Sequence, residues 1–180
     1  MSDPDPPPSP AQGATRWPLV WLVTAAYVLS QANLARIVGP LDPNIVVLQT
    51  RLTPDAFWGV LAAWGPDGVA RYRAHLPVDW LHPFLYGAMG WLWARRTPVL
   101  AGWPRAVAAM LPLAAACDLI ENLAHSVLLA QAPGGGAAWV ALGGMAGTCK
   151  WALAALFTLA LGCAGPAWLA RRWRGRQQGD

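Results

Sequence analysis

A long apolar segment in the second half of the chain limits most strongly what this sequence can fold into. Residues 137–164 contain a single charged side chain, Lys150. The segment exceeds the about 20 predominantly apolar residues that a helix needs to cross the hydrocarbon core of a bilayer. It therefore predicts a membrane-spanning helix with one ionisable group at membrane depth.

The composition extends this prediction to most of the chain. Of the 180 residues, 56% are apolar, only 12% are charged and 12 are tryptophan, and the mean hydropathy is +0.33. A disordered chain is poor in apolar residues and a coiled coil is rich in glutamate and lysine, so both classes are excluded. We expect an all-α integral membrane protein that crosses the bilayer several times.

Four segments have the apolar character of membrane-spanning helices. They are residues 17–38, 78–94, 105–130 and 137–164. The second is the shortest and lies at the low end of the about 17–25 residues that a bilayer requires. The first follows an acidic, proline-rich start and not the basic start of a secretory signal, so we expect it to be retained. The prediction is a four-helix transmembrane bundle.

The two ends of the chain differ in character from this bundle. Residues 1–15 are rich in proline and contain two aspartates, which predicts a disordered tail. The transmembrane domain then covers residues 16–170. Residues 171–180 are rich in arginine and are expected to form a basic cytoplasmic tail.

The long segment between the first two spans, residues 41–77, is too polar to cross a membrane. Thr53-Pro54 is typical of a helix start, with threonine as the N-cap and proline in the first turn. Gly65-Pro66 then interrupts the helical pattern. We predict two short amphipathic helices that lie on the membrane surface or cap the bundle.

The distribution of arginine predicts the orientation in the membrane. Eight arginines stand at one set of span ends, and four stand at or beyond the other set. The first set is Arg16, Arg95, Arg96, Arg105, Arg171, Arg172, Arg174 and Arg176, and the second is Arg36, Arg51, Arg71 and Arg73. Because cytoplasmic loops carry the excess of basic residues, this predicts a multi-pass protein of the bacterial inner membrane with both termini inside. No basic stripe interleaved with aromatic side chains is present, which argues against nucleic-acid binding.

The third span carries the strongest polar pattern, Asp118-x-x-Glu121-Asn122-x-x-His125. At 100° per residue, these four side chains lie within about 100° of one another on a helix. Ionisable groups at membrane depth are costly to bury and usually face the bundle interior, where they find partners. We therefore predict one polar face, turned inward, on an otherwise apolar helix.

Polar residues on the other spans are candidates for the same interior network. Asp79, His82 and Tyr86 are spaced i, i+3 and i+7, which predicts that they share one face of the second span. Gln31 is the corresponding candidate on the first span. We expect these four residues, together with Asn122, to line a ligand site or to complete a polar network.

Lys150 is the only basic residue within the fourth span. It shares a helix face with Gly143 and Gly147, and small residues at this spacing let two helices approach closely. Lys150 should therefore point at a neighbouring helix and not at lipid. We predict an ion pair between Lys150 and either Asp118 or Glu121, because an isolated carboxylate at this depth would take up a proton.

Two interpretations of these acids stay open. In the first, Asp118, Glu121 and Lys150 form a structural network that fixes helix packing. In the second, one of the two carboxylates lacks a cation and handles protons, which makes Asp118, Glu121 and His125 the candidate catalytic residues.

The histidines allow a similar choice. His82 and His125 are expected to be hydrogen-bonded interior residues. A zinc or iron site with Glu121 or Asp79 as a further ligand is the alternative. The sequence contains no His-Glu-x-x-His and no Glu-x-x-His pair, so no metal and no other cofactor is predicted.

Two stretches resemble a group of small bacterial four-span membrane proteins. Residues 78–87 read VDWLHPFLYG, and residues 111–122 read LPLAAACDLIEN. Proteins of that group carry an Asp-x-x-Pro/Phe-x-x-Tyr stretch and then a helix with proline and Asp-x-x-Glu-Asn. The resemblance covers about half the chain and implies four spans, but brings no activity with it.

A second likeness is one of architecture alone. The chain is similar in size, span count and intramembrane acids to the four-span sterol isomerase and sigma-2 receptor superfamily, with which it shares no motif residue by residue. Enzymes of that superfamily hold a sterol cation beside buried carboxylates.

The functional expectation is a membrane protein that holds a lipid or small apolar ligand in a bundle pocket floored by acidic and histidine side chains. The alternative is a membrane enzyme that does acid/base chemistry on an apolar or lipid substrate, with Glu121 or Asp118 as the proton carrier. Membrane lipid is the expected partner, and homo-oligomerisation stays open.

Overall fold

The computed structural model describes residues 17–96 and 105–177. Within these ranges every secondary-structure element is a helix, and turns or irregular segments connect the helices. The six helices are α1 (Trp17–Val38), α2 (Ile45–Gln49), α3 (Pro54–Asp79), α4 (His82–Arg96), α5 (Arg105–Leu129) and α6 (Ala137–Gln177). The predicted disordered segment, residues 1–15, lies outside the described residues.

Three helices are long and apolar enough to cross a membrane. They are α1, α5 and the Ala137–Ala170 portion of α6. Their bounds agree closely with three of the four predicted spans, and they support the predicted class of helical membrane protein. Helix α6 continues past the predicted end of its span at residue 164, so the start of the basic C-terminal segment prolongs the helix to Gln177.

The remaining predicted span, residues 78–94, is not one continuous helix. Helix α3 ends at Asp79, the chain turns at Trp80-Leu81, and α4 begins at His82. The prediction that Asp79 shares a helix face with His82 and Tyr86 is therefore wrong. The cause is Pro83, which has no N–H to donate to the carbonyl four residues earlier, that of Asp79.

Helix α3 forms most of the segment between α1 and α4. Gly65 adopts φ +64°, a left-handed conformation that glycine tolerates, and this residue breaks the helix as Gly65-Pro66 predicts. Thr53 occupies the N-cap position with Pro54 after it, but its side chain makes no capping hydrogen bond. Most of the buried residues of α3 follow one another at spacings of three or four, and they are Phe57, Val60, Leu61, Trp64, Gly68, Tyr72, His75 and Asp79.

This buried face of α3 covers one end of the bundle. It packs with Leu128 of α5 and Val140 of α6 in one apolar cluster. Two hydrogen bonds to main-chain oxygens add to the packing, since Trp58 donates to Gly135 (3.0 Å) and Arg73 donates to Leu129 (2.8 Å). The segment was predicted either to lie on the membrane surface or to cap the bundle, and in the structure α3 caps the bundle.

Helix α6 lies directly against α5 on one side and against the segment around α2 on the other. A Cβ atom at Gly147 would lie 2.1 Å from the carbonyl oxygen of Gln49, and one at Gly144 would lie 2.1 Å from that of Arg51. Only glycine allows the backbones to approach this closely. Gly144 and Gly147 thus let α6 pack directly against the backbone of the connection between α1 and α3.

Candidate functional site

The centre of the bundle holds three charged side chains in direct contact. The ammonium Nζ of Lys150 lies 2.9 Å from Oδ1 of Asp118 and 2.7 Å from Oε2 of Glu121. All three are buried. The sequence predicts an ion pair of Lys150 with either Asp118 or Glu121. Lys150 pairs with both, because the two acids stand one turn apart on α5.

Asp118 is also bound by a neutral donor. The hydroxyl of Tyr86 in α4 donates to its Oδ2 at 3.1 Å. The two carboxylate oxygens of Asp118 therefore have different partners, an ammonium on one and a phenol on the other. This arrangement connects α4, α5 and α6 through a single side chain.

Glu121 and His125 form a second layer toward the α3 cap. Oε1 of Glu121 lies 3.8 Å from Nδ1 of His125, and the hydroxyl of Tyr72 in α3 lies 2.5 Å from the same nitrogen. Burial, followed by the charge of the nearby Glu121, raises the pKa of Tyr72 well above its ordinary value. Tyr72 is therefore a neutral hydrogen-bonding partner of His125.

The predicted polar face of the third span is present. Asp118, Glu121, Asn122 and His125 are exposed by no more than 3%. Asn122 uses its Nδ2 to donate to the carbonyl oxygen of Asp79 at 3.0 Å. That carbonyl is the one left without a helical donor by Pro83, so Asn122 compensates for the helix break between α3 and α4.

A cavity of about 330 Å³ lies beside this network. Helices α1, α2, α4, α5 and α6 line it, together with the C-terminal part of α3. Its polar wall includes His75, Asp79, His82, Tyr86, Asp118 and Lys150. The rest of the lining is largely apolar and includes Leu34, Val38, Ile45, Met89, Leu111 and Phe157.

Exposed residues of the cavity lining stand on α1 and α6. Gln31 and Ala35 of α1 and Trp151 and Thr158 of α6 line the cavity and are exposed. In the part of the chain that the structure describes, α1 packs mainly against α3 and α4, whereas α6 packs mainly against α5 and also contacts α2 and α3. The exposed part of the lining therefore includes residues of two helices that are long and apolar enough to cross a membrane.

The predicted site residues divide between the cavity and the layer behind it. Asp79, His82, Tyr86, Asp118, Lys150 and Gln31 line the cavity. The remaining three, Glu121, Asn122 and His125, are buried behind that wall. The predicted group of Asp118, Glu121 and His125 is therefore split, since only Asp118 faces the cavity.

His75 is a cavity residue that the sequence patterns missed. It is 1% exposed, its Nδ1 contacts the main-chain oxygen of Tyr72, and its Nε2 lies 3.5 Å from Oδ2 of Asp79. The i, i+4 spacing of His75 and Asp79 is a detectable signal on a helix. It was hidden because a boundary between loop and span was placed at Pro77.

The histidines do not converge on a metal site. His82 contacts the hydroxyl of Ser30 at 3.0 Å and stacks on Tyr27, whereas His125 contacts Tyr72. Across residues 17–96 and 105–177, no three His, Cys, Asp or Glu side chains are placed to hold one ion. The structure does not bring His82, His125 and Glu121 together as ligands.

Comparisons with protein families, with curated proteins and with solved structures find no match to this chain. The two resemblances given above therefore stay expectations that rest on the quoted residues.

Proposed function

We propose that this is a four-span inner-membrane protein with both termini in the cytoplasm, in which α4 is the additional span. Helix α4 is short, with 15 residues, but it packs between α1 and α5, both of which qualify as spans. Phe84 and Trp91 are exposed on its outer side, as lipid-facing residues would be. Arg95 and Arg96 at its end are typical of a cytoplasmic boundary.

Reporter fusions test this topology. Green fluorescent protein fused after Asp180 should fluoresce, because it folds in the cytoplasm, and alkaline phosphatase at the same point should be inactive. With three spans, an N-terminal fusion and a C-terminal fusion would report opposite sides of the membrane. Alkaline phosphatase inserted into the Gly134–Gly136 turn should be active, since this turn is predicted to lie outside.

The cavity supports the binding of a lipid-like amphiphile. Its volume of about 330 Å³ lies within the about 300–1,000 Å³ that is typical of small-molecule sites. The observation that carries the proposal is the mixed lining of this cavity, which combines buried ionisable groups with apolar side chains. A molecule with a small polar head and an apolar body matches both parts of this lining.

The position of the opening supports a ligand that arrives through the membrane. The exposed lining residues Gln31 and Trp151 stand on α1 and α6, at the gap between these helices. A sterol, a fatty alcohol or a single acyl chain dissolved in the bilayer would meet this gap laterally. The apolar residues Leu34 and Phe157 then provide the surface that receives its chain.

Native mass spectrometry of the purified full chain tests the binding proposal. We expect a stoichiometric adduct of a lipid or small amphiphile on the intact protein. Ala154→Trp fills the cavity from α6 and should remove the adduct, whereas Ala155→Trp, at the neighbouring exposed position, should retain it. Equal adducts on both variants would place the ligand outside the cavity and contradict the proposal.

A second candidate function is acid/base chemistry on such a molecule. Asp118 faces the cavity with Lys150 on one oxygen and the Tyr86 hydroxyl on the other. A carboxylate, an ammonium and a phenol at one cavity wall can move protons. Asp118 is favoured over Glu121 as the proton carrier, because Glu121 is 0% exposed and stands behind the wall.

Lipid profiling of membranes distinguishes the enzyme from the binding protein. Cells expressing the wild-type chain should contain a product that is absent with Tyr86→Phe, while the substrate still co-purifies with that variant. If the lipid profile is the same for the wild type and for an empty vector, the enzyme candidate is wrong and the binding proposal stands.

A further inference from the structure

The chemistry of the ligand's polar head can be inferred from the hydrogen-bonding capacity of the cavity wall, on the basis of the binding function proposed above. Nδ1 of His75 contacts the main-chain oxygen of Tyr72. Because a carbonyl oxygen only accepts, Nδ1 must carry a hydrogen, and the neutral imidazole tautomer with this hydrogen has Nε2 as an acceptor. No hydrogen bond reaches that nitrogen, although His75 is 1% exposed.

A second acceptor faces this nitrogen. Oδ2 of Asp79 lies 3.5 Å from Nε2 of His75, which is longer than a direct hydrogen bond of ordinary length. A carboxylate has acceptor oxygens only. The two atoms therefore face one another at the cavity wall without a donor between them.

The shortage of donors extends beyond this pair. Oδ1 of Asn122 is buried without a partner, because the amide Nδ2 is committed to the carbonyl of Asp79. Oε1 of Glu121 lacks a hydrogen bond as well, whereas Oε2 has the ammonium of Lys150 at 2.7 Å. Among the described residues, every buried side-chain atom without a hydrogen bond is thus an acceptor, and buried acceptors without donors are costly.

The charge of the wall restricts the head further. Asp79 and Asp118 face the cavity and Glu121 stands behind them, whereas Lys150 is the one lysine or arginine among the described residues that contacts any of these three carboxylates, Asp118 and Glu121. An anionic head would be repelled by this excess of negative charge. A neutral or cationic head would not be.

We propose that the cavity takes an amphiphile whose polar head donates hydrogen bonds, either a hydroxyl or a primary ammonium group, and that this head is bound between Nε2 of His75 and Oδ2 of Asp79. The head supplies the donor that is missing between these two acceptors. The apolar chain lies against the wall that contains Leu34, Met89 and Phe157.

Four probes with one decyl chain separate hydrogen bonding from charge. Decan-1-ol and 1-methoxydecane are neutral, and only the alcohol donates. Decylamine and decyltrimethylammonium are cations, and only the amine donates. Their binding to the full chain is measured by isothermal titration calorimetry in phosphatidylcholine nanodiscs, whose head group has no hydrogen-bond donor, with empty nanodiscs subtracted.

We expect each donor probe to bind with a Kd roughly tenfold or more below that of its partner without a donor, because only the donor probe can form a hydrogen bond to a charged acceptor. If the ether binds as tightly as the alcohol, the head-group inference is overturned while the binding function stands. If the quaternary ammonium equals the amine, charge alone selects the ligand, and the inference is again wrong. If no probe exceeds the signal of empty nanodiscs, the proposed binding function itself fails.

Asp79→Asn tests the inference on the protein side. The amide of asparagine supplies an N–H to His75. The ratio of affinities between a donor probe and its partner without a donor should therefore fall from about ten to near one. The thermal stability without ligand should rise. Asp67→Asn, an exposed position on the same helix, should change neither quantity. If Asp79→Asn lowers the stability and retains the donor preference, His75 and Asp79 form an ion pair and the head is not bound between them.

Discussion

The hydroxyl of Tyr72 in α3 lies 2.5 Å from Nδ1 of His125 in α5, and this contact joins the cap to the polar face of α5. Both side chains are almost completely buried. The cap is therefore held by a polar contact at its centre in addition to apolar packing. The stability of the bundle and the attachment of α3 should depend on one another.

Tyr72→Phe should lower the free energy of unfolding by about 1–3 kcal/mol, because it leaves Nδ1 of His125 buried without its partner. The loss can be measured by titration with a denaturing detergent followed by circular dichroism. Trp58→Phe removes a hydrogen bond at an exposed site and should cost less. Equal losses for the two variants would show that the Tyr72 hydroxyl contributes nothing specific.

The same tyrosine should make the protein sensitive to alkaline pH. Burial raises the pKa of Tyr72 above its ordinary value of 10.0, so the unfolded chain loses this proton at a lower pH than the folded one. The contribution of Tyr72 to the free energy of unfolding is therefore fully present below about pH 10 and decreases as the pH rises further. The decline between pH 9 and pH 11.5 should be steeper for the wild type than for Tyr72→Phe, and parallel curves would contradict the expectation.

Lys150→Met should be the most destabilising change within the ion-pair cluster. It leaves Asp118 and Glu121 buried together without a cation, and breaking a buried pair costs about 3–5 kcal/mol. Glu121→Gln should cost less, because Lys150 keeps Asp118 as a partner at 2.9 Å. Adding Asp118→Asn and Glu121→Gln to Lys150→Met should restore much of the stability, and a triple variant as unstable as Lys150→Met would exclude unpaired charge as the cause.

Gly144→Ala should disrupt the contact between α6 and the α1–α3 connection. The added Cβ would lie 2.1 Å from the carbonyl oxygen of Arg51, so the backbones must separate at a cost of about 1–3 kcal/mol. Gly162→Ala provides the matched control on the same helix, because nothing lies within 4 Å of its Cβ position. The control should be neutral or slightly stabilising, in line with helix propensity, in the same detergent titration.

The sequence was sufficient for the parts of the fold that local periodicity determines. The apolar lengths locate α1, α5 and α6 to within a few residues, apart from the C-terminal extension of α6. The spacing of Asp118 and Glu121 along one helix face, together with the lone Lys150, was enough to predict their pairing. In each case the decisive residues stand on one continuous helix, where a period of 3.6 residues is reliable.

The sequence failed where long-range packing decides. The carbonyl of Asp79, which Pro83 leaves without a helical donor, accepts from Asn122 of another helix. His75 falls in the segment predicted to lie on the membrane surface or to cap the bundle, yet it lines the cavity together with residues of α1, α4, α5 and α6. Gln49 was not singled out either, although it is buried and accepts from the indole of Trp151 at 3.1 Å. No pattern within residues 41–77 reports these neighbours.

The gap between α1 and α6 determines which concentration of ligand controls the occupancy of the cavity. In the proposed topology and binding function the opening faces the bilayer, and a ligand would arrive by diffusion within the plane of the membrane. Its effective concentration is then a mole fraction in lipid. Adding lipid at a constant amount of ligand would dilute the ligand and empty the cavity, even though its concentration in the whole sample stays the same.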